Sequence, residues 1–117
     1  MSTGAVFSGD RRYRYRLWRR WELSRPLIAF CMLNPSTADE RSDDPTIRRC
    51  IGFARDWGYG GVEIVNVFAL RATDPRELRR LRDPVGPRND SYVLDAAERA
   101  ASVVIAWGAH GAFRSRG

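Results

Sequence analysis

Three apolar runs, Leu27–Leu33, Val62–Phe68 and Ser102–Trp107, are separated by stretches with helical periodicity, and this alternation restricts the fold more than any other feature. Runs without polar–apolar alternation belong to strands covered on both faces, as in a parallel sheet. Helical crossovers between such strands imply parallel pairing with right-handed connections. Ahead of them, Tyr13, Tyr15 and Leu17 alternate with Arg12, Arg14 and Arg16, which predicts a half-buried strand with a basic outer face. Ser24–Pro26 is a turn, and the stretch from Asn34 to Asp44 has no periodicity and many turn formers, so it reads as a loop.

The helices are punctuated clearly. Asp44 before Pro45 is a cap followed by a proline suited to the first helical position. Ile47, Cys50, Ile51, Ala54 and Trp57 then recur on one helical face, and Gly58 ends the segment. Asp74–Pro75 repeats the device and predicts a short helix to about Leu81. Asp83 to Asn89 breaks it, and Asp90 to Ala101 predicts a further helix with Val93, Leu94, Ala97 and Ala101 inward. The expected fold is α/β: a small three-layer α/β/α domain with a central, mostly parallel sheet, preceded by an N-terminal antiparallel strand. No repeat or linker interrupts residues 1–117, so a single domain is expected. The turn Gly108–Gly111 after a strand calls for a packed helix, so a C-terminal element is expected to be missing after Gly117.

Composition narrows the chemistry. All 20 basic residues are arginine, which excludes lysine Schiff-base and P-loop lysine chemistry. Arginine favours planar, bidentate contacts to phosphate or carboxylate, and a net charge of +6 is compatible with a polyanionic partner. An arginine-rich, solvated surface accounts for the same charge. No apolar run approaches the roughly 20 residues needed to cross a bilayer, and Met1 to Arg12 has no secretion-signal core. Cys31 and Cys50 lie in apolar segments without metal-ligand spacing, as expected of buried thiols in a reducing, cytoplasmic setting.

Ligands of open parallel sheets bind beyond the carboxyl ends of the strands. Three segments reach that edge: Asn34, Pro35, Ser36 and Asp39 after the first apolar run; Asn66 running on to Arg71 and Thr73; and Trp107, Gly108 and His110. Asn66 is the most informative. An amide inside an apolar strand needs partners, and its donor pair and acceptor match the edge of a nucleobase or another amide. Alternatively, Asn66 ties the Asn34 loop in place, and Asn34 is a turn former ahead of Pro35. His110 is either a general base or an exposed turn residue. Asp39, Glu40, Asp43 and Asp44 suit a solvated loop better than a cation site, so neither a metal nor a cofactor is assigned. Phe68 and Trp107 suit a core more than a stacking platform. The arginines at 12, 14, 16, 19 and 20, interleaved with Tyr13, Tyr15 and Trp18, could follow a nucleic-acid strand or form a solvated face.

The run from Leu33 through Asn34, Pro35, Ser36, Thr37 and Ala38 to Asp39, followed by Asp44-Pro45-Thr46-Ile47-Arg48-Arg49, resembles the domain-of-unknown-function 1643 family of bacteria and phages. So do Asn66-Val67-Phe68-Ala69-Leu70-Arg71-Ala72-Thr73, Asp83-Pro84-Val85-Gly86 and Trp107-Gly108. The order of strand-Asn-Pro, helix, strand ending in Asn66 and strand ending in Trp-Gly is more distantly similar to the uracil-DNA glycosylases. That likeness implies a water-positioning role for Asn34 and recognition of a flipped base by Asn66. Met32 stands where those enzymes carry glycine. The leading expectation is therefore nucleobase, nucleotide or nucleic-acid binding at the Asn34/Asn66/Gly108 edge, with no membrane partner. A glycosylase-like or other nucleotide-processing hydrolase, with Asn34 and His110 catalytic, is the enzymatic alternative. A protein-interaction module using the arginine face is the third.

Overall fold

A computed structural model describes residues 2–71, 85–86 and 88–106. The elements run β1 (Ser2–Phe7), β2 (Arg14–Arg20), β3 (Leu27–Met32), α1 (Pro45–Asp56), β4 (Gly61–Asn66), α2 (Asn89–Arg99) and β5 (Ser102–Ala106). The five strands form one sheet in the order β1-β2-β4-β3-β5. The predicted short helix from Asp74 to Leu81 lies outside the described residues.

The parallel part is as expected: β3 pairs in parallel with β4 on one side and with β5 on the other. The sheet as a whole is mixed rather than mostly parallel, because β2 runs antiparallel to β4 and β1 antiparallel to β2. β1 is an element that periodicity does not reveal. It has no apolar run, and it holds its place by edge pairing and by the Trp18 ring lying over Gly4, where a Cβ would come within 2.2 Å of the ring. β5 is likewise not the buried strand expected. Among the described residues it pairs with β3 alone, and Val103 and Ile105 are exposed.

Strand alternation sorts the core into two clusters. Ile28, Phe30, Val62, Ile64 and Leu17 pack with Ile47, Cys50 and Ala54 of α1. Cys31 and Val65 pack with Val67, Phe68, Leu70 and Ala96 of α2. α1 follows its sequence signals: Asp44 Oδ1 accepts from Ile47 N at 2.9 Å, Pro45 opens the helix, and Gly58 follows it at a φ of 85°. Trp57, expected on the buried face, is instead the exposed C-cap, stacked on Phe53 and Phe30.

α2 is rotated from the face its apolar pattern predicts. Leu94 is 65% exposed and Ala97 is exposed, while Asn89 and Ala96 are buried. Polar and aromatic anchors set this rotation. Asn89 Nδ2 donates to the carbonyls of Asn66 at 2.7 Å and Val67 at 3.3 Å, Tyr92 stacks on Tyr15, and Arg99 pairs with Glu63. Tyr92 lies three residues after Asn89 and Arg99 seven after Tyr92, so all three share one helical face and together outweigh the apolar stripe.

Glu63 is fully buried in the middle of β4, on the α2 side of the sheet. Its carboxylate receives Arg16 from β2 and Arg99 from α2, which satisfies a charge that would otherwise be costly to bury. β2 thus does not have the basic outer face expected. Arg14 and Arg19 are buried, and Arg16 is committed to Glu63. Arg19 donates to the carbonyls of Asp39, Ser42, Gly4 and Trp18 and pairs with Asp43, so the loop before α1 hangs from its guanidinium.

A β-bulge completes this arrangement. Val6 pairs with Arg16 and Phe7 with Arg14, leaving Tyr15 as the extra residue. Strict alternation would place Tyr15 on the face of Leu17 and Arg19; the bulge places Arg14 there instead, against Asp44 and Ile47. Tyr13 and Tyr15 stack on each other, and Tyr15 stacks on Tyr92 of α2.

Arg16→Met should lower the free energy of unfolding by about 3 kcal/mol in urea titrations, because it leaves the Glu63 carboxylate with Arg99 alone. The double variant Arg16→Met/Glu63→Leu should recover part of that loss; no recovery would mean the charge pair is not the origin. Burial pushes the Cys50 thiol up to about 11, so at pH 8 roughly one thiol in a thousand is ionised. Native protein should therefore react slowly with a thiol reagent and rapidly once unfolded; fast reaction of Cys50 in the native state would contradict this burial.

Candidate functional site

The carboxyl ends of β3 and β4 open into a cavity of about 150 Å³. The chain reaches it in three ways. β3 ends at Met32, and the loop that follows supplies Asn34, Pro35 and Ser36. β4 ends at Asn66, where Val67 N and Phe68 N donate to the carbonyls of Met32 and Leu33 at 2.9 Å each, carrying the chain past the end of β3. Arg14 arrives from β2 through the bulge, and Asp44, Thr46 and Ile47 close the wall at the start of α1.

Asn66 decides the character of this cavity. It is 1% exposed, and neither its Nδ2 nor its Oδ1 has a hydrogen-bond partner among the described residues. The expectation that its side chain ties down the Asn34 loop is not what the geometry shows. The backbone carbonyl of Asn66 is held by Asn89, while the amide is left to the cavity. An unmet buried amide costs on the order of 1–3 kcal/mol. Such groups concentrate where a ligand completes them.

Arg14 is the second such group. It is 2% exposed; its Nη1 donates to Ala38 O at 3.2 Å, and its Nε has no partner among the described residues. Burial pushes its pKa down to about 10, opposed by the Asp44 charge and reinforced by Arg71 and Arg19. It remains a cation at neutral pH. Asp44 does not neutralise it by contact, because Oδ1 accepts from Ile47 N and Oδ2 from Ala38 N. The cavity thus offers a donor pair and an acceptor from Asn66 and a cationic N–H donor from Arg14.

The structure brings Asn34, Pro35, Ser36 and Asn66 together. Asn34 Nδ2 donates to Pro35 O at 3.0 Å, so it also has the local turn role. Arg71 stands behind the loop, its Nε donating to Ser36 O at 3.3 Å. Asp39 is not in the cavity wall. Its Oδ1 accepts from Arg41 N and Ser42 N, which holds its carboxyl below the usual range. Thr73, Trp107, Gly108 and His110 lie outside the described residues. Phe68 is core, fully buried beside Val65 and Ala96. Among the described residues no group of three or more His, Cys, Asp or Glu is placed to hold a metal ion.

Sequence reasoning missed Arg14 as a cavity residue and Asn89 as the support of Asn66. Arg14 sits in an alternating pattern that points it outward, and only the bulge redirects it. Asn89 ends the segment Pro84-Val85-Gly86-Pro87-Arg88 and reads as part of the helix-breaking turn, although an asparagine at a helix start is also a capping signal.

Residues 14–117 match the model of a protein family described as of unknown function, DUF1643. The chain belongs to this family. The matched span includes Arg14, Asn34, Asp44 and Asn66, so the cavity lies within the family domain, whereas β1 lies outside it. No curated protein and no solved structure matches the chain. Among the described residues no helix is long and apolar enough to cross a membrane.

Asn66→Leu keeps a similar volume and removes the unmet amide, so it should raise the free energy of unfolding by about 1–3 kcal/mol. A loss of stability on urea unfolding would show that the amide has a structural partner in the native protein.

Proposed function

We propose that this DUF1643 protein binds a pyrimidine base at the carboxyl edge of its sheet, with Asn66 reading the base edge and Arg14 donating to a ring carbonyl. The observation that carries this reading is the unpartnered Asn66 amide in a cavity shared with the Arg14 guanidinium. An imide edge, with N–H between two carbonyls, is complementary to an amide beside an N–H donor. Size supports one ring rather than two: a cavity of about 150 Å³ holds a benzene-sized ligand. In this reading the domain is a three-layer frame with α1 and α2 on opposite faces of the sheet. The free thiols Cys31 and Cys50, both buried, fit a reducing, cytoplasmic setting.

Asn34 beside Asn66 favours a hydrolytic second reading, in which Asn34 positions a water against a base held by Asn66, as in the uracil-DNA glycosylases. For an interaction module on the arginine face of β2, burial of Arg14 and Arg19 and the pairing of Arg16 with Glu63 leave Arg12 and Arg20 as its accessible arginines.

Amide-shift NMR titration with uridine, thymidine, cytidine and adenosine tests the proposal. Uridine and thymidine should shift residues around Asn66 and Arg14, adenosine should not, and Asn66→Leu should remove the response while the protein stays folded. Equal weak response to all four nucleosides, or a response that survives Asn66→Leu, would overturn it. An excision assay on uracil-containing single strands, with Asn34→Ala as the control, decides whether binding leads to hydrolysis.

A further inference from the structure

A second concavity, of about 320 Å³, lies between α1 and the β1–β2 edge of the sheet and is distinct in charge from the first. Its wall includes Arg41 from the loop, Arg48 and Arg55 from α1, and Trp21 after β2. The one carboxylate in it, Asp43, is already paired with Arg19 at 2.8 Å. Arg41, Arg48 and Arg55 are exposed and form no ion pair among the described residues. Three uncompensated guanidiniums in one groove repel one another and attract anions.

The arginines are held rather than free to sweep. Arg48 Nη1 donates to Asp43 O at 3.1 Å, and the Arg55 guanidinium lies over the Trp21 ring, 4.4 Å from its centroid. Their positions on α1 are separated by about 10 Å along the helix axis. They therefore present two anion positions in a row, which a single terminal phosphate does not fill and a chain of linked phosphates does. Asp43 and Asp44 are neighbours in sequence but line different concavities, so the loop ending at Asp44 is the wall between them.

We infer that this groove carries the phosphodiester backbone of a single-stranded nucleic acid, one base of which enters the Asn66 cavity. The choice of nucleic acid over other polyanions rests on the base-binding reading of that cavity; the anion groove itself does not. The Arg55 guanidinium, backed by the half-buried Trp21 ring, offers a plane on which a strand packs.

The test is fluorescence anisotropy of labelled oligothymidylate across a series of salt concentrations, alongside uridine binding by NMR. Arg48→Gln/Arg55→Gln is compared with Arg12→Gln/Arg25→Gln, which removes the same charge from exposed positions elsewhere. Removing one arginine that neutralises a phosphate should flatten the log–log salt slope by about 0.7. The groove pair should therefore show a visibly shallower slope and weaker oligonucleotide binding, with unchanged uridine shifts and unchanged melting temperature. The control pair should show neither effect. Equal weakening by both pairs would mean net charge alone, and would overturn the groove. Capture by phosphatidylserine vesicles through Arg48 and Arg55, without oligonucleotide binding, would overturn it as well. If uridine fails to bind while the groove pair still weakens oligothymidylate selectively, the groove stands and the pyrimidine cavity falls.

Discussion

The buried Glu63 carboxylate is the constraint on which the rest of the arrangement depends. β4 is covered on both faces, so a charge at its centre must find its partners inside the protein. It takes Arg16 from β2 and Arg99 from α2, and each contact fixes more than itself. Arg99 sets the rotation of α2, together with Tyr92 and Asn89. Arg16 holds its part of β2 on the α2 side of the sheet. With Arg16 and Trp18 on that side and Leu17 and Arg19 on the other, an unbroken strand would direct Arg14 away from α1. The bulge at Tyr15 reverses that direction, and Arg14 enters the cavity.

The cavity is therefore a product of two elements that are themselves anchored by ionic or polar contacts. Arg19 suspends the loop that carries Asp39 to Asp43, and Asp44 uses one oxygen to cap α1 and the other to hold Ala38 N. Asn89 grips the backbone carbonyl of Asn66, while the Asn66 side chain lines the cavity. Among the described residues, the Asn66 amide and the Arg14 Nε have no partner at the cavity, and Arg20 Nε and Asn89 Oδ1 have none away from it. What marks the cavity is that two such groups, one neutral and one cationic, line it together.

Much of the frame was legible from local signals. The capped start of α1 at Asp44-Pro45, its end before Gly58, and the strands at 27–32 and 61–66 follow from short-range rules, because caps, glycine φ values and continuous apolar runs act over a few residues. The convergence of Asn34 and Asn66 was legible too, since parallel strands must release their following loops at the same edge. β1 was not, because an edge strand held by backbone pairing and by a ring over Gly4 needs no apolar pattern of its own. The inner face of α2 was misread for a related reason: Leu94 fits the apolar stripe, but the anchors at Asn89, Tyr92 and Arg99 are polar or mixed, and their value depends on Glu63 and Tyr15 far away in the chain.

The sequence by itself thus determined the helical crossovers, the parallel core of the sheet, the cap of α1 and the edge at which polar loops gather. These depend on periodicity and on local backbone chemistry. Only the tertiary structure decided that a second antiparallel strand, β1, extends the sheet, that α2 turns on its polar anchors, and that Arg14 points into the cavity rather than to solvent. Each of these depends on a partner distant in sequence. A one-residue bulge, set by pairing with β1 and by the Arg16–Glu63 contact, reverses the direction of a side chain while leaving the local pattern unchanged.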